Sequence, residues 1–398
     1  MRLCFVIQRY GLEVAGGSEL HCRWLAGRLA RRHDVRVATT CALDYLEWRN
    51  HYPPGPAEVE GVAVWRFPVR RARSAHRFAL VSDVVFHEEH TLDEERQWVV
   101  ENGPFAPELV AALKTMRHVD LFVFYSYRYY HTFFGLPAVA SRAVLVPTAE
   151  EDPAIELPVF AEVFRAPRGL IYLTPEERAL VQGVSGNDSL PSVVVGSGIN
   201  VPAGWSGVDA RERFGLPERY LLYVGRIDRN KGADRLFADY RRLQQEWPQV
   251  PPLVLVGRPA LDLPEHPGIR HLGFVTEEEK FAILAGCDVL LMPSRYESLS
   301  LIVLEAWAMG RPVLVNSSCR VLEGQCVRSG GGLFYRGYAE FAAALRLLCE
   351  SAELRARLGA AGRSYVGREY DWEVVEQRTS DFLEDVAAAR GDLRPGRA

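Results

Sequence analysis

A short apolar run, then a glycine-rich or polar turn, then an amphipathic segment recurs along the chain and constrains its fold more than any other feature. Such units in series are βα units, and they build parallel sheets covered by helices. The first unit reads Leu3–Ile7 as a strand, Arg9 to Ser18 as a loop and Glu19 to Arg32 as a helix. Leu20, Trp24, Leu25 and Leu29 fall near helical spacing within that helix. Further buried strands are expected at Val35–Thr39, Val62–Phe67, Leu121–Tyr125, Ala143–Pro147, Leu170–Leu173 and Val193–Val195.

With 398 residues the chain is too long for one ordinary core. Between Gly196 and Gly207 the composition shifts to Gly, Ser, Pro and Asn, as in a linker. A second alternating series follows, with strands at Tyr220–Val224, Leu253–Val256, Ile269–Leu272, Val289–Met292 and Val313–Val315. Thr276 and Glu279 form a capping-box pattern, and Asp371 to Ala389 has the periodicity of one amphipathic helix. The expected class is α/β, with two Rossmann-like doubly wound domains facing across a cleft. Residues 1–200 make the first, residues 201–370 the second, and a helix over 371–390 returns to the first.

The charge balance, 47 basic against 51 acidic residues, makes no platform for nucleic acid. No run approaches the length of a membrane span, and Leu3–Ile7 is too short for a signal-peptide core. Seven scattered cysteines without a CxxC favour neither a disulfide framework nor a zinc site, so a reducing cytoplasm is expected. Of the 47 basic residues only Lys114, Lys231 and Lys280 are lysines.

In open parallel sheets ligands sit beyond the carboxyl ends of the strands. The loop after Tyr220–Val224 runs Gly225-Arg226-Ile227-Asp228-Arg229-Asn230-Lys231-Gly232. It reads as a solvated turn or as a diphosphate site in which Arg226 supplies a planar fork and Lys231 a point charge. The use of lysine in a chain that prefers arginine favours the second reading. After Val289–Met292, Glu297 stands over the start of a helix whose free amides at Ser298 to Leu301 suit an anion, with Glu305 two turns in. Carboxylates there suit a hydroxyl-rich ligand; otherwise Glu297 is a helix-start acid and Glu305 a satisfied core carboxylate. In the first domain Ala15-Gly16-Gly17-Ser18-Glu19 precedes a helix, with Ser18 as the expected N-cap.

Together these elements resemble the retaining glycosyltransferases of family four (glycosyl transferases group 1), which have the GT-B architecture. The resemblance spans nearly the whole chain. Gly16 to Glu19 matches the family's glycine loop, Gly225-Arg226 to Lys231-Gly232 its diphosphate loop, and Glu297 with Glu305 its E-x7-E motif. Gly310 to Val313 matches the start of the next strand, and Tyr370-Asp371-Trp372 the segment that crosses back. The resemblance implies a nucleotide-sugar donor held mainly by the second domain. Arg226, Lys231 and Glu297 would act in catalysis. Gly16, Gly17, Gly225, Phe274, Val275, Ser300, Leu301 and Glu305 would hold the donor: Glu305 the ribose, Phe274-Val275 the base. Retention without a protein nucleophile, and no metal or other cofactor, is implied.

Where many relatives carry histidines, this chain has Tyr125-Ser126-Tyr127 and Thr148-Ala149, followed by Glu150-Glu151-Asp152. Tyr127, His131, Glu150 and Glu151 are the candidates for the acceptor, a glycan or a lipid-linked sugar. The other reading makes His131 a core or surface histidine and the acidic run a solvated loop. Arg70, Arg71, Arg73 and Arg77 with Phe78 read as a solvated loop or as a peripheral contact with the inner membrane face. Two alternatives stand beside this reading: a nucleotide-sugar 2-epimerase, which shares the architecture and donor loop but needs acid/base groups not placed here, and a catalytically silent nucleotide-sugar-binding subunit, which the missing histidines leave open.

Overall fold

The computed structural model describes residues 1–14 and 16–389; Ala15, and residue 390 at the expected end of the last helix, lie outside them. The chain divides into two compact units, Met1–Gly196 with the end of the chain from Val375, and Ser197–Val374.

Among the described residues the first unit holds eight strands: β1 (Arg2–Val6), β2 (Asp34–Thr40), β3 (Gly55–Val59), β4 (Val62–Phe67), β5 (Leu121–Tyr125), β6 (Ala143–Val146), β7 (Gly169–Tyr172) and β8 (Ser192–Val194). Their order is β3-β4-β2-β1-β5-β6-β7-β8, and all neighbours are parallel except β3 and β4. Every residue of β5, β6 and β7 is buried. Helices on both faces of a parallel sheet leave no face for water, so these strands read as unbroken apolar runs.

Val62–Phe67 is the expected strand; β3, which pairs with it as a hairpin, is an addition to the expected plan. Its turn, Glu60-Gly61, has φ of +50° and +77°, the left-handed pair that matches the twist of a two-residue hairpin. The first helix runs over Gly17–Leu29, starting earlier than Glu19 and ending before Arg32. Ser18 is not its cap: Gly16 holds that position, and the Ser18 hydroxyl donates to Glu19 Oε2 at 2.8 Å.

Between β4 and β5 the helices Ala75–His87, Leu92–Asn102 and Pro107–Thr115 form an insertion. The arginines before and at its start are fastened to the later helices of that insertion. Arg70 pairs with Glu108, Arg71 and Arg77 both reach the buried Glu101 at 2.9 and 3.0 Å, and Arg73 donates to the Asn102 carbonyl.

The second unit holds β9 (Leu221–Val224), β10 (Leu253–Val256), β11 (Ile269–His271), β12 (Val289–Met292), β13 (Val313–Asn316) and β14 (Gly332–Tyr335), in the order β11-β10-β9-β12-β13-β14, all parallel. The capping box expected at Thr276 and Glu279 is made in full and opens the helix Glu277–Gly286.

The last helix, Trp372–Ala388, starts within the second unit and finishes within the first. Its start is pinned by Trp372, whose ring covers Gly198 so closely that a β carbon there would lie 2.1 Å from it, and whose Nε1 donates to Asn200 Oδ1 at 2.7 Å. Further along, Val375, Thr379 and Leu383 are fully buried, and Phe382 and Val386 pack against Gly169.

Candidate active site

A doubly wound sheet has its crevice where the strand order reverses. In the second sheet that point lies between β9 and β12: β10 and β11 continue to one side of β9, and β13 and β14 to the other side of β12. Two loops leave the sheet there, Gly225 to Gly232 and Pro293 to Ser300.

The first loop is fixed from inside by Asp228. One carboxylate oxygen takes the Arg226 Nε, and the other accepts the Lys231 backbone N–H at 2.8 Å. Tyr223 donates its hydroxyl to the Arg226 carbonyl at 2.6 Å, and Ile227 is buried beneath. Gly225 and Gly232 have φ of +145° and +71°, the left-handed side that glycine tolerates. A side chain at Gly232 would meet the Pro293 carbonyl oxygen at 2.4 Å, so the two loops touch through backbone.

That approach brings the predicted pair together. Lys231 Nζ donates to Glu297 Oε1 at 2.6 Å, with the lysine side chain about a quarter exposed and the glutamate side chain 9% exposed. Arg226 stands on the same loop with its guanidinium part exposed. Past Glu297 the chain turns sharply: Ser300 has φ +67°, its hydroxyl is buried without a hydrogen-bond partner, and the helix Leu301–Ala308 begins directly after it. The first amides of that helix have no partner within it, and the helix dipole makes them favourable to an anion.

Glu305 is buried inside the helix and bonded to Lys280 Nζ through both oxygens at 2.9 Å. Burial raises its pKa above the usual carboxylate range, and Lys280 holds part of that rise back. Phe274 is 72% exposed with the Arg258 guanidinium 5.3 Å from its ring centre, and Val275 is buried beside it. A pocket of about 400 Å³ between Val208, Leu216, Tyr220 and Gly286 lies at the amino end of β9, away from these loops.

In the first unit the reversal falls between β1 and β5. After β1, Arg9 Nε bonds Glu19 Oε1 at 2.8 Å, both side chains being 6% exposed. A β carbon on Gly16 would stand against the Glu19 carboxylate and force that pair to shift, whereas Gly17 faces open space. Beyond β5 and β6, Ser126 and Thr148 have φ of +65° and +48°, and their hydroxyls are 2.8 Å apart.

The acceptor candidates are dispersed. Tyr127 is fully buried against Phe160 and Phe164 at 4.8 and 5.0 Å. His131 is buried with Nε2 3.0 Å from the Tyr125 carbonyl, and burial lowers its pKa to about 4, leaving it neutral at pH 7. Both are thus core residues in this unit. Glu150 is half-buried and Glu151 exposed, next to an Arg128–Asp152 ion pair at 2.6 Å. Sequence reasoning did not assign Asp228, Lys280, Ser126 or Thr148. The scarcity of lysine, applied to Lys231, would have marked Lys280 as well. Among the described residues no group of three His, Cys, Asp or Glu side chains is placed to hold a metal.

Solved structures share this architecture. Sucrose-phosphate synthase from Thermosynechococcus elongatus superposes with a TM-score of 0.71 at 17% identity, covering 98% of this chain and 99% of its own. The Anabaena protein Alr3699/HepE, solved in complex with UDP, gives 0.68 at 16% identity, covering 97% of this chain and 100% of its own. The fold is therefore of the GT-B type. Residues 218–351 match the family model of the glycosyl transferases group 1. Glycogen synthase of Mycobacterium tuberculosis is 26% identical over 99% of the chain and 97% of its own length. The chain is a glycosyltransferase, and within its second unit it is similar to the glycosyl transferases group 1.

Proposed function

We propose that the chain is a retaining glycosyltransferase of family four, moving a sugar from a UDP- or GDP-linked donor to a glycan or lipid-linked acceptor in the cytoplasm, without a metal. The observation that carries the reading is the meeting of Lys231 and Glu297 at 2.6 Å at the sheet's reversal, beside Arg226 and the amides that begin at Ser300 and Leu301. The binding of UDP by the similar Anabaena protein supports a nucleoside-diphosphate donor.

The diphosphate leaving group gains negative charge as the sugar–oxygen bond breaks. Arg226, Lys231 and the helix amides offset that charge from fixed positions, which lowers the barrier without solvent reorganisation. Glu297, carried by Lys231, accepts hydrogen bonds from the donor-sugar hydroxyls, and Glu305 accepts those of the ribose. Gly225 lets the backbone approach the phosphates, and Phe274 with Val275 faces the base. Gly16 and Gly17 supply the corresponding glycine loop of the first unit. With no protein nucleophile in the step, the acceptor attacks the face from which the nucleotide departs, and configuration is kept.

The test is incubation with UDP- and GDP-hexoses and a panel of glycan and lipid-linked acceptors, with the new linkage read by proton NMR. An α-linked product from an α-linked donor supports the proposal. An inverted product, or nucleotide release dependent on added divalent metal, overturns it.

A further inference from the structure

Lys280 lies outside both loops, yet its ammonium is fully engaged by carboxylates. Nζ stands 2.9 Å from Glu305 Oε1, 2.9 Å from Glu305 Oε2 and 2.9 Å from Glu277 Oε2. An ammonium has three N–H donors, and three acceptors surround this one. The lysine side chain is 13% exposed and that of Glu305 4%.

A buried pair of this kind is a poor device for stability, because desolvating both charges consumes most of their attraction. A well-packed apolar residue on the helix Glu277–Gly286 would hold the fold as well or better. The chain nevertheless places one of its three lysines here. The geometry gives that lysine another use. Each Glu305 oxygen gives one acceptor direction to Lys280 and keeps a second, and two acceptor directions side by side suit two neighbouring hydroxyls.

We propose that Lys280 is a positioning residue for ribose recognition, its ammonium holding the Glu305 carboxylate oriented to accept the 2′- and 3′-hydroxyls of a nucleoside diphosphate; this rests on the reading of Glu305 above. The same helix opens immediately after Phe274-Val275. Lys280 therefore ties the carboxylate for the ribose to the segment that faces the base. Burial pushes Glu305 towards its neutral form, and the charged groups that act on it are Lys280, which opposes that shift, and Glu277, which adds to it. Without Lys280 the carboxylate loses its only opposing charge among these, and it protonates at a higher pH.

The measurement is titration calorimetry of UDP and GDP, each against its 2′-deoxy counterpart, from pH 6 to 8.5, on wild type, Lys280→Met, Lys280→Gln, Lys280→Arg and Glu305→Gln. Wild type is expected to prefer the ribonucleotide by about tenfold, the scale of a hydrogen bond to a charged group. Lys280→Met and Lys280→Gln should lose most of that preference, and lose it further as the pH falls. Lys280→Arg should retain it. A merely structural lysine would change the melting temperature, or affinity for both nucleotides alike, and leave the ratio intact. A preserved ratio in whichever of Lys280→Met and Lys280→Gln folds, with Glu305→Gln lacking it, overturns this inference and spares the reading of Glu305. Binding of neither UDP nor GDP to wild type, or no ribose preference in it, overturns that reading and this inference with it.

Discussion

Gly232 lies directly under the Pro293 carbonyl, and a β carbon on it would stand 2.4 Å from that oxygen. The loops after β9 and β12 are thereby closed against each other through main chain, and Lys231 is held within reach of Glu297. Gly232→Ala must move a backbone carbonyl and also adopt a φ of +71°. The expected loss of stability is about 3 kcal/mol, from left-handed strain plus overpacking. Urea unfolding measures it, and a loss under half that size would mean that the loops can part freely.

Lys231→Ala and Glu297→Ala test the pair itself. Each should reduce sugar transfer by about a hundredfold, the usual cost of one fixed electrostatic contact to a developing charge. Far-ultraviolet circular dichroism of each should match wild type. If the double variant is no worse than either single one, the two side chains act as a unit.

Ser300 sits where glycine would be easier. With φ +67° it carries the left-handed penalty of a residue with a side chain, about 1–2 kcal/mol. Ser300→Gly removes that cost and adds about 0.5–1 kcal/mol of unfolded-chain entropy, so its stability should equal or slightly exceed that of wild type. Ser300→Val, β-branched, should lose at least 1 kcal/mol. Equal unfolding midpoints for the valine and glycine variants would refute the strain argument.

The first unit makes a pH prediction with opposing signs. Burial lowers His21 and His131 to about 4, below their unfolded value, so the stability they contribute is present above ~6.5 and lost as pH falls towards 4. Burial raises Glu177 to about 8, so its contribution runs the other way, fading as pH rises from the unfolded value of ~4.3 towards 8. Between pH 5 and 6.5 His131→Gln should therefore flatten the rise of stability with pH, and Glu177→Gln should steepen it. Each step amounts to about 1.4 kcal/mol per pH unit at most. Urea titrations at three pH values resolve it, and parallel curves for all three proteins would contradict the burial of these groups.

The parallel sheets were legible because their strands are buried on both faces, so five-residue runs such as Leu121–Tyr125 stand out from any background. The hairpin strand Gly55–Val59 was not, since it is only half-buried at the sheet's edge and its turn is Glu-Gly rather than Asn-Gly. At the site, Lys231 and Glu297 were readable because strand-end loops are where such residues gather. Their contact, across 66 positions, depends on which strands become neighbours. Lys280 and Glu305 meet through the packing of two helices, which no local pattern encodes. Ser126 and Thr148 adopt left-handed backbone without the glycine that would have announced it.

The division of the last helix bears on how the chain is made. The first unit is completed only by residues from Val375 onward, whose Val375, Thr379 and Leu383 are fully buried and whose Phe382 and Val386 cover Gly169. A ribosome delivers those residues after the whole of Ser197–Val374. The unit that begins first is thus the last to be sealed, and during synthesis the surface around Gly169 waits uncovered while its neighbour is already complete.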